Sequence, residues 1–229
     1  MDGRLLHTVP PRPRAKRQLR EGLAYVRSSP DILLVMCVVF FVGTFGLNFT
    51  MTTALMAQQE FHRSAQAYGI LGTLLAVGSL VGALIAARRR TRPHPQFVVG
   101  MAVIFGIVEI ATGLAPSYLT FAAALPLMGL VTLLTLTAAN ASIQLGVDAG
   151  LRGRVMALYI MVLMGGTPIG APMLGWLAEA MGPRWTLIGG GAATVIGVLV
   201  SVAVLRSRLR RAHSHSALSP RRSRVKNRH

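Results

Sequence analysis

The apolar residues of this chain fall into six long blocks separated by short polar joints. The blocks cover about Ile32 to Met56, Tyr68 to Ala87, Gln96 to Ala115, Tyr118 to Leu145, Val155 to Ala178 and Trp185 to Leu205. A bilayer core about 30 Å thick takes roughly 20 apolar residues of helix to cross. Hydrocarbon leaves backbone N–H and C=O groups unsatisfied, so each block reads as a membrane-spanning helix or a closed-barrel strand. The length of the blocks, with no alternating segments of about ten residues between them, selects helices. The pattern therefore predicts an all-α membrane protein with a six-helix bundle over residues 30–205.

Three flanking segments differ from the bundle. Residues 1–16 carry Arg4, Arg12, Arg14 and Lys16 among Pro10, Pro11 and Pro13, the composition of an extended, solvated segment. Over residues 17–29, Leu19, Leu23 and Val26 recur at helical spacing with Arg17, Arg20, Glu21 and Arg27 around them. This predicts a short amphipathic helix, either lying on the membrane surface or serving as a solvated linker. Residues 206–229 form a basic tail.

Composition agrees with a lipid solvent: 52% of residues are hydrophobic and 14% charged, and the mean hydropathy is +0.54. The net charge of +17 would suggest nucleic acid if taken as a bulk number. Its placement argues otherwise. With six spans, 22 of the 24 Lys and Arg residues fall on the side that carries both chain ends, leaving Arg63 and Arg184 on the other. That split predicts a multi-pass protein of the inner or plasma membrane with cytoplasmic termini. Arg221, Arg222, Arg224, Lys226 and Arg228 leave a nucleic-acid-binding tail as a remote reading. Like-charge blocks at such an end more often meet anionic lipid.

Candidate chemistry is sparse. Glu109 is the one ionisable residue in the six blocks, open to reading as a proton or cation site or as a neutral acid with a local hydrogen bond. Thr44, Asn48 and Thr52 lie four residues apart on one helical face of the first block, and Thr137, Asn140, Ala141 and Gln144 share one in the fourth. Carboxamides in hydrocarbon need partners, so these faces either line a cavity or bind a neighbouring helix. Gly78 and Gly82 form a GxxxG pattern in the second block. The fifth contains GGTPIGAPMLG, with Gly165, Gly166, Pro168, Gly170 and Pro172. Small residues allow close backbone approach, and two prolines four apart predict a bent helix at a moving interface, with tight packing alone as the simpler reading. The single cysteine, Cys37, excludes an internal disulfide. No metal-ligand set, Walker sequence, nucleophile elbow or buried Asp pair is present, and His213 with His215 is a weak pair in the tail. No enzyme activity, cofactor or metal is expected.

Four stretches carry a resemblance: REGLAYVRSSPDILLVM, YGILGTLLAVGSLVGALIAARRR, LRGRVMALY and GGTPIGAPMLGWLAE. In this order and spacing, over about residues 17–205, the chain resembles the second half of a major facilitator superfamily transporter, near the branch of enterobactin-type and drug exporters. The resemblance implies two inverted three-helix repeats, half of a twelve-helix carrier, exporting small hydrophobic or amphipathic molecules. It implies partners as well: the lipid bilayer, a small-molecule substrate, and an N-terminal six-helix half or a second copy. It assigns Thr44, Asn48, Thr52, Thr137, Asn140 and Gln144 to a central cavity, and Gly78, Gly82, Gly165, Gly166, Pro168, Gly170 and Pro172 to the interface between halves. It places Glu109 on a peripheral helix. The loop ARRRTRPHP departs from the family pattern because it lacks an acidic residue, so no charge-relay gate carries over. The competing reading is a non-transporting membrane assembly module that dimerises through its glycine-rich helices.

Overall fold

The structure, a computed structural model, describes residues 15–89 and 91–217. Most of the basic segment expected over 1–16, the middle of the Arg88 to Pro95 joint at Arg90, and the distal tail with Arg221, Arg222, Arg224, Lys226 and Arg228 lie outside the described residues. Among the described residues every regular element is a helix. The order is α1 (Ala15–Ser28), α2 (Pro30–Phe41), α3 (Phe49–Leu55), α4 (Ala65–Ala87), α5 (Pro95–Gly113), α6 (Tyr118–Gly146), α7 (Ala149–Met181) and α8 (Arg184–Ala217). Two π-helical turns, Val42–Gly46 and Met56–Glu60, complete the first span. Six helical stretches are long and apolar enough to cross a membrane, the first running Pro30–Glu60.

The helices outrun the apolar blocks. The first span ends at Glu60 rather than near Met56, α7 begins at Ala149 ahead of Val155, and α8 continues past Leu205 to Ala217. Apolarity marks the hydrocarbon slab, whereas a helix can extend through the headgroups with polar residues. Local chemistry sets several boundaries. Pro30 and Pro95 stand in the first turns of α2 and α5, where a missing N–H costs nothing because that donor has no intrahelical partner. At the Pro116–Ser117 turn, the Thr120 amide donates to Ser117 Oγ at 3.3 Å, and the Ser117 amide donates to Thr120 Oγ1 at 3.1 Å. This reciprocal pair fixes the start of α6.

Glycines decide how closely the helices approach. A Cβ on Gly78 would fall on the Pro126 carbonyl of α6, one on Gly82 within 2.8 Å of the Leu130 carbonyl, and one on Gly129 against Leu75 and Ser79 of α4. Between the first span and α7, a Cβ on Gly43 would lie 2.6 Å from the Leu163 carbonyl, and Gly166 and Gly170 press on Thr44. Gly106 of α5 and Gly191 of α8 meet face to face, each against the other's carbonyl. The spans least buried within the bundle are α4 and α7, at 17% and 22% of their most apolar stretch against 33% or more for the others.

Each end of the bundle is tied by an arginine. Where α1 meets α7, Gly22 packs on Arg154 and Leu158, Val26 is buried, and Arg154 Nη1 donates to Glu21 Oε2 at 2.5 Å. Leu19 and Leu23 remain exposed. At the opposite end, Arg184 Nε donates to Glu60 Oε1 at 2.6 Å and its Nη1 to the Ala115 carbonyl at 2.7 Å. One guanidinium thus joins the ends of the first and third spans to the start of α8. Both ion-pair partners are about 29% exposed in their side chains, so screening limits the gain. Replacing Arg184 with alanine is expected to cost about 1 kcal/mol, read as a small fall in the detergent unfolding midpoint that shrinks at high salt. A salt-independent midpoint in the wild type would contradict it.

Candidate functional site

The first span is interrupted in its middle. After the π-turn Val42–Gly46, Leu47 and Asn48 leave helical geometry (Asn48 φ −86°, ψ 21°) and α3 begins at Phe49. A π-turn followed by a break frees carbonyls that a regular helix would satisfy. The three-residue stripe meets part of that need. Thr44 Oγ1 donates to the Phe40 carbonyl at 2.6 Å, Asn48 Nδ2 to the Thr44 carbonyl at 2.9 Å, and Thr52 Oγ1 to the Asn48 carbonyl at 3.1 Å. All three side chains are buried. Gly170 of α7 lies where a Cβ would meet the Thr44 carbonyl and come within 3.2 Å of Asn48 Nδ2. Thr167 Oγ1 makes a long 3.4 Å contact to the Gly43 carbonyl. Thr44 and Asn48 therefore face a neighbouring helix.

The second stripe is more open. Gln144 Nε2 donates to Asn140 Oδ1 at 2.5 Å, Gln144 is exposed and Asn140 half-buried. The Tyr159 phenol of α7 lies against Asn140 and donates to the Leu136 carbonyl at 3.3 Å. Thr137 donates to the Leu133 carbonyl at 2.6 Å and lines a cavity of about 360 Å3 with Ala83, Arg89, Phe97 and Leu134. Among the described residues no hydrogen bond joins the two stripes. Each meets α7 instead, the first at Gly166 and Gly170 and the second at Tyr159.

The glycine and proline candidates divide into two sets. Gly78, Gly82, Gly166 and Gly170 are buried in contacts inside the bundle. Gly165, Pro168 and Pro172 are exposed, on a face of α7 shared with Met161, Ile169 and Trp176. The helix assignment runs unbroken through both prolines, and the interruption of regular α-helix among the described spans lies in the first. Between α7 and α8 an apolar cavity of about 500 Å3 is lined by Phe45, Pro172, Trp176, Leu177 and Ala193. Phe45 belongs to the π-turn, so the cavity reaches the break.

Glu109 is fully enclosed, and its Oε2 has no hydrogen-bond partner among the described residues. Gly190 of α8 lies beside it: a Cβ there would sit 3.1 Å from Glu109 Oε1 and 3.6 Å from the Phe45 carbonyl oxygen. Sequence reasoning missed Phe45, Gly190, Tyr159 and Pro126. The run Gly189–Gly190–Gly191 in the sixth apolar block was the available signal for a close approach there.

Comparison with curated proteins found no match, and neither did comparison with solved structures. The family described as transmembrane secretion effector matches residues 6–226, nearly the whole chain. Together with the six apolar helices this makes the molecule a multi-pass membrane protein of a transport family, and the chain belongs to the transmembrane secretion effectors of the major facilitator superfamily.

Proposed function

We propose that this chain is a six-helix transport bundle that works against a second bundle, exporting small hydrophobic or amphipathic molecules across the plasma membrane with both ends in the cytoplasm. The observation that carries the reading is the uneven burial. The second and fifth spans, α4 and α7, are left most open, with Val77, Leu80 and Leu84 exposed on one and Met161, Met164 and Trp176 on the other. Those are the spans that an inverted-repeat carrier sets against its other half.

The packing supports two inverted three-helix units. Exchanging the first span with the fourth and the second with the fifth carries the Gly129–Leu75 contact onto Gly43–Leu163 and the Gly82–Leu130 contact onto Gly170–Thr44. Leu75, Gly78 and Gly82 have the same spacing as Leu163, Gly166 and Gly170, and adjacent Gly129–Leu130 answers to Gly43–Thr44. The reciprocal Gly106–Gly191 contact is then the meeting of third with sixth. Within this arrangement Thr137, Asn140 and Gln144 are the polar groups left accessible to a solute, while Thr44, Asn48 and Thr52 hold the first span in its broken form. The uncharged 500 Å3 cavity beside Phe45 suits an apolar molecule.

Fusing the chain to an N-terminal six-helix half from a family member and measuring export of a fluorescent apolar dye from cells tests the reading. The fusion is expected to lower dye retention and the chain alone to leave it unchanged. Export by the chain alone would defeat the two-bundle requirement. Fusions that insert but never export would favour the assembly-module alternative, in which the same open faces bind a second copy.

A further inference from the structure

Glu109 is the feature that the packing and transport readings leave unused. It lies four residues from the end of α5, is 2% exposed, and presents one carboxyl oxygen to no donor. An unpaired charge in such surroundings is costly, and a carboxyl kept there implies something that binds it. The elements packed on α5 are α2, the π-turn Val42–Gly46, α6 and α8. Their described charged and titratable side chains are Asp31 and Cys37 on α2, Tyr118 on α6, and Arg184, Arg206 and Arg208 on α8. Arg184 is engaged with Glu60, Tyr118 with the Ala67 carbonyl, and Cys37 with Ser201. None makes an ion pair or hydrogen bond to Glu109. Among the described residues there is also no group of three His, Cys, Asp or Glu that could hold a metal ion. A divalent cation wants about six oxygen ligands, so a lone carboxyl here fits a proton.

The surroundings also say what the proton would act on. Glu109 Oε1 and the Phe45 carbonyl oxygen border the same small gap, kept open by the missing side chain of Gly190. The Gly190 carbonyl already accepts from Thr194 Oγ1 at 2.9 Å. At the broken end of the first span, the Thr44 carbonyl is served by Asn48 and the Gly43 carbonyl by Thr167. The Phe45 carbonyl oxygen is the one that borders the gap beside Glu109.

We propose that Glu109 is a proton-binding site that controls the break in the first span. With a proton bound, the carboxylic acid rotates across the gap and donates to the Phe45 carbonyl, holding the π-turn. When the proton leaves to water, the carboxylate has no donor to offer, repels that carbonyl oxygen, and the turn loosens. The proposal concerns the bundle itself and holds whether or not the chain moves a solute.

The test uses the full chain in lipid nanodiscs and two readouts that do not involve transport. Amide hydrogen exchange over residues 42–52 is compared between wild type and Glu109→Gln at equal pH, so that intrinsic exchange chemistry cancels. Glutamine keeps the size and a donor and mimics the protonated form. The two proteins are expected to match at acidic pH, and the wild type to exchange roughly tenfold faster at alkaline pH, the scale of one lost hydrogen bond. Infrared spectra should show a carboxylic C=O band in the wild type at acidic pH that is absent in the variant. Identical exchange at every pH, a difference spread evenly over the bundle, or no such band would overturn the proposal. Should Glu109→Gln not fold, Gly190→Ala serves instead. Its methyl group fills the gap, so residues 42–52 should exchange at the fast rate at all pH, and a surviving pH dependence would count against the mechanism.

Discussion

Gly78→Ala and Gly170→Ala are each expected to lower the stability of the bundle by about 3 kcal/mol, the upper end of the usual cost of overpacking. One methyl group is enough because the obstacle is backbone. At Gly78 it would land on the Pro126 carbonyl, and at Gly170 on the Thr44 carbonyl and beside Asn48. Backbone cannot swing aside as a long side chain can, so the helices must part along their contact. In hydrocarbon no hydrophobic force draws helices together, and close van der Waals packing supplies much of their association. Separation by a fraction of an ångström therefore weakens every contact along the pair. Gly72→Ala and Gly165→Ala are the controls. Both positions have open space where a Cβ would be, so alanine there should be neutral or slightly stabilising through helix propensity. The measurement is the unfolding midpoint in mixed micelles. Equal midpoints for Gly170→Ala and Gly165→Ala would refute the close-approach reading.

These four glycines also mark how far the sequence can be read. That six helices cross the membrane was legible, because the demand that every backbone group be satisfied in lipid acts on whole blocks of composition. That Gly78 and Gly82 allow close approach was legible from their spacing. Which helix approaches was not: α6 fills the groove, with a proline, Pro126, whose carbonyl lies over Gly78. The open face of α4 is the opposite one, carrying Val77, Leu80 and Leu84. The polar stripes show the same division. A spacing of four places Thr44, Asn48 and Thr52 on one face only if the helix is continuous. The interruption at Leu47 and Asn48 is flanked by close approaches of Gly43 to Leu163 and of Gly46 to Phe105, which join residues far apart in sequence. The gap between Glu109 and Phe45 was hidden for the same reason, since it takes three spans to form it.

Asn48→Leu separates a structural asparagine from an incidental one. If Asn48 merely happened to sit at an irregular point, leucine of similar size would be neutral or better. It is a stronger helix former, and it removes a carboxamide from hydrocarbon. The geometry predicts the reverse. Asn48 Nδ2 is the donor to the Thr44 carbonyl, which lies in the middle of the π-turn and presses on Gly170. Removing one partner leaves the other buried and unpaired, at a cost of about 1–3 kcal/mol. A leucine methyl would also crowd the site of Gly170, only 3.2 Å from Nδ2 when extended by a Cβ. We expect Asn48→Leu to lose about 2 kcal/mol, and Thr52→Val to lose less, since its hydroxyl bonds a carbonyl that also accepts the Thr52 amide at 3.0 Å. Both are measured as unfolding midpoints in the same micelles as the glycine series. An Asn48→Leu protein as stable as the wild type would mean that the break in the first span needs no side chain to sustain it.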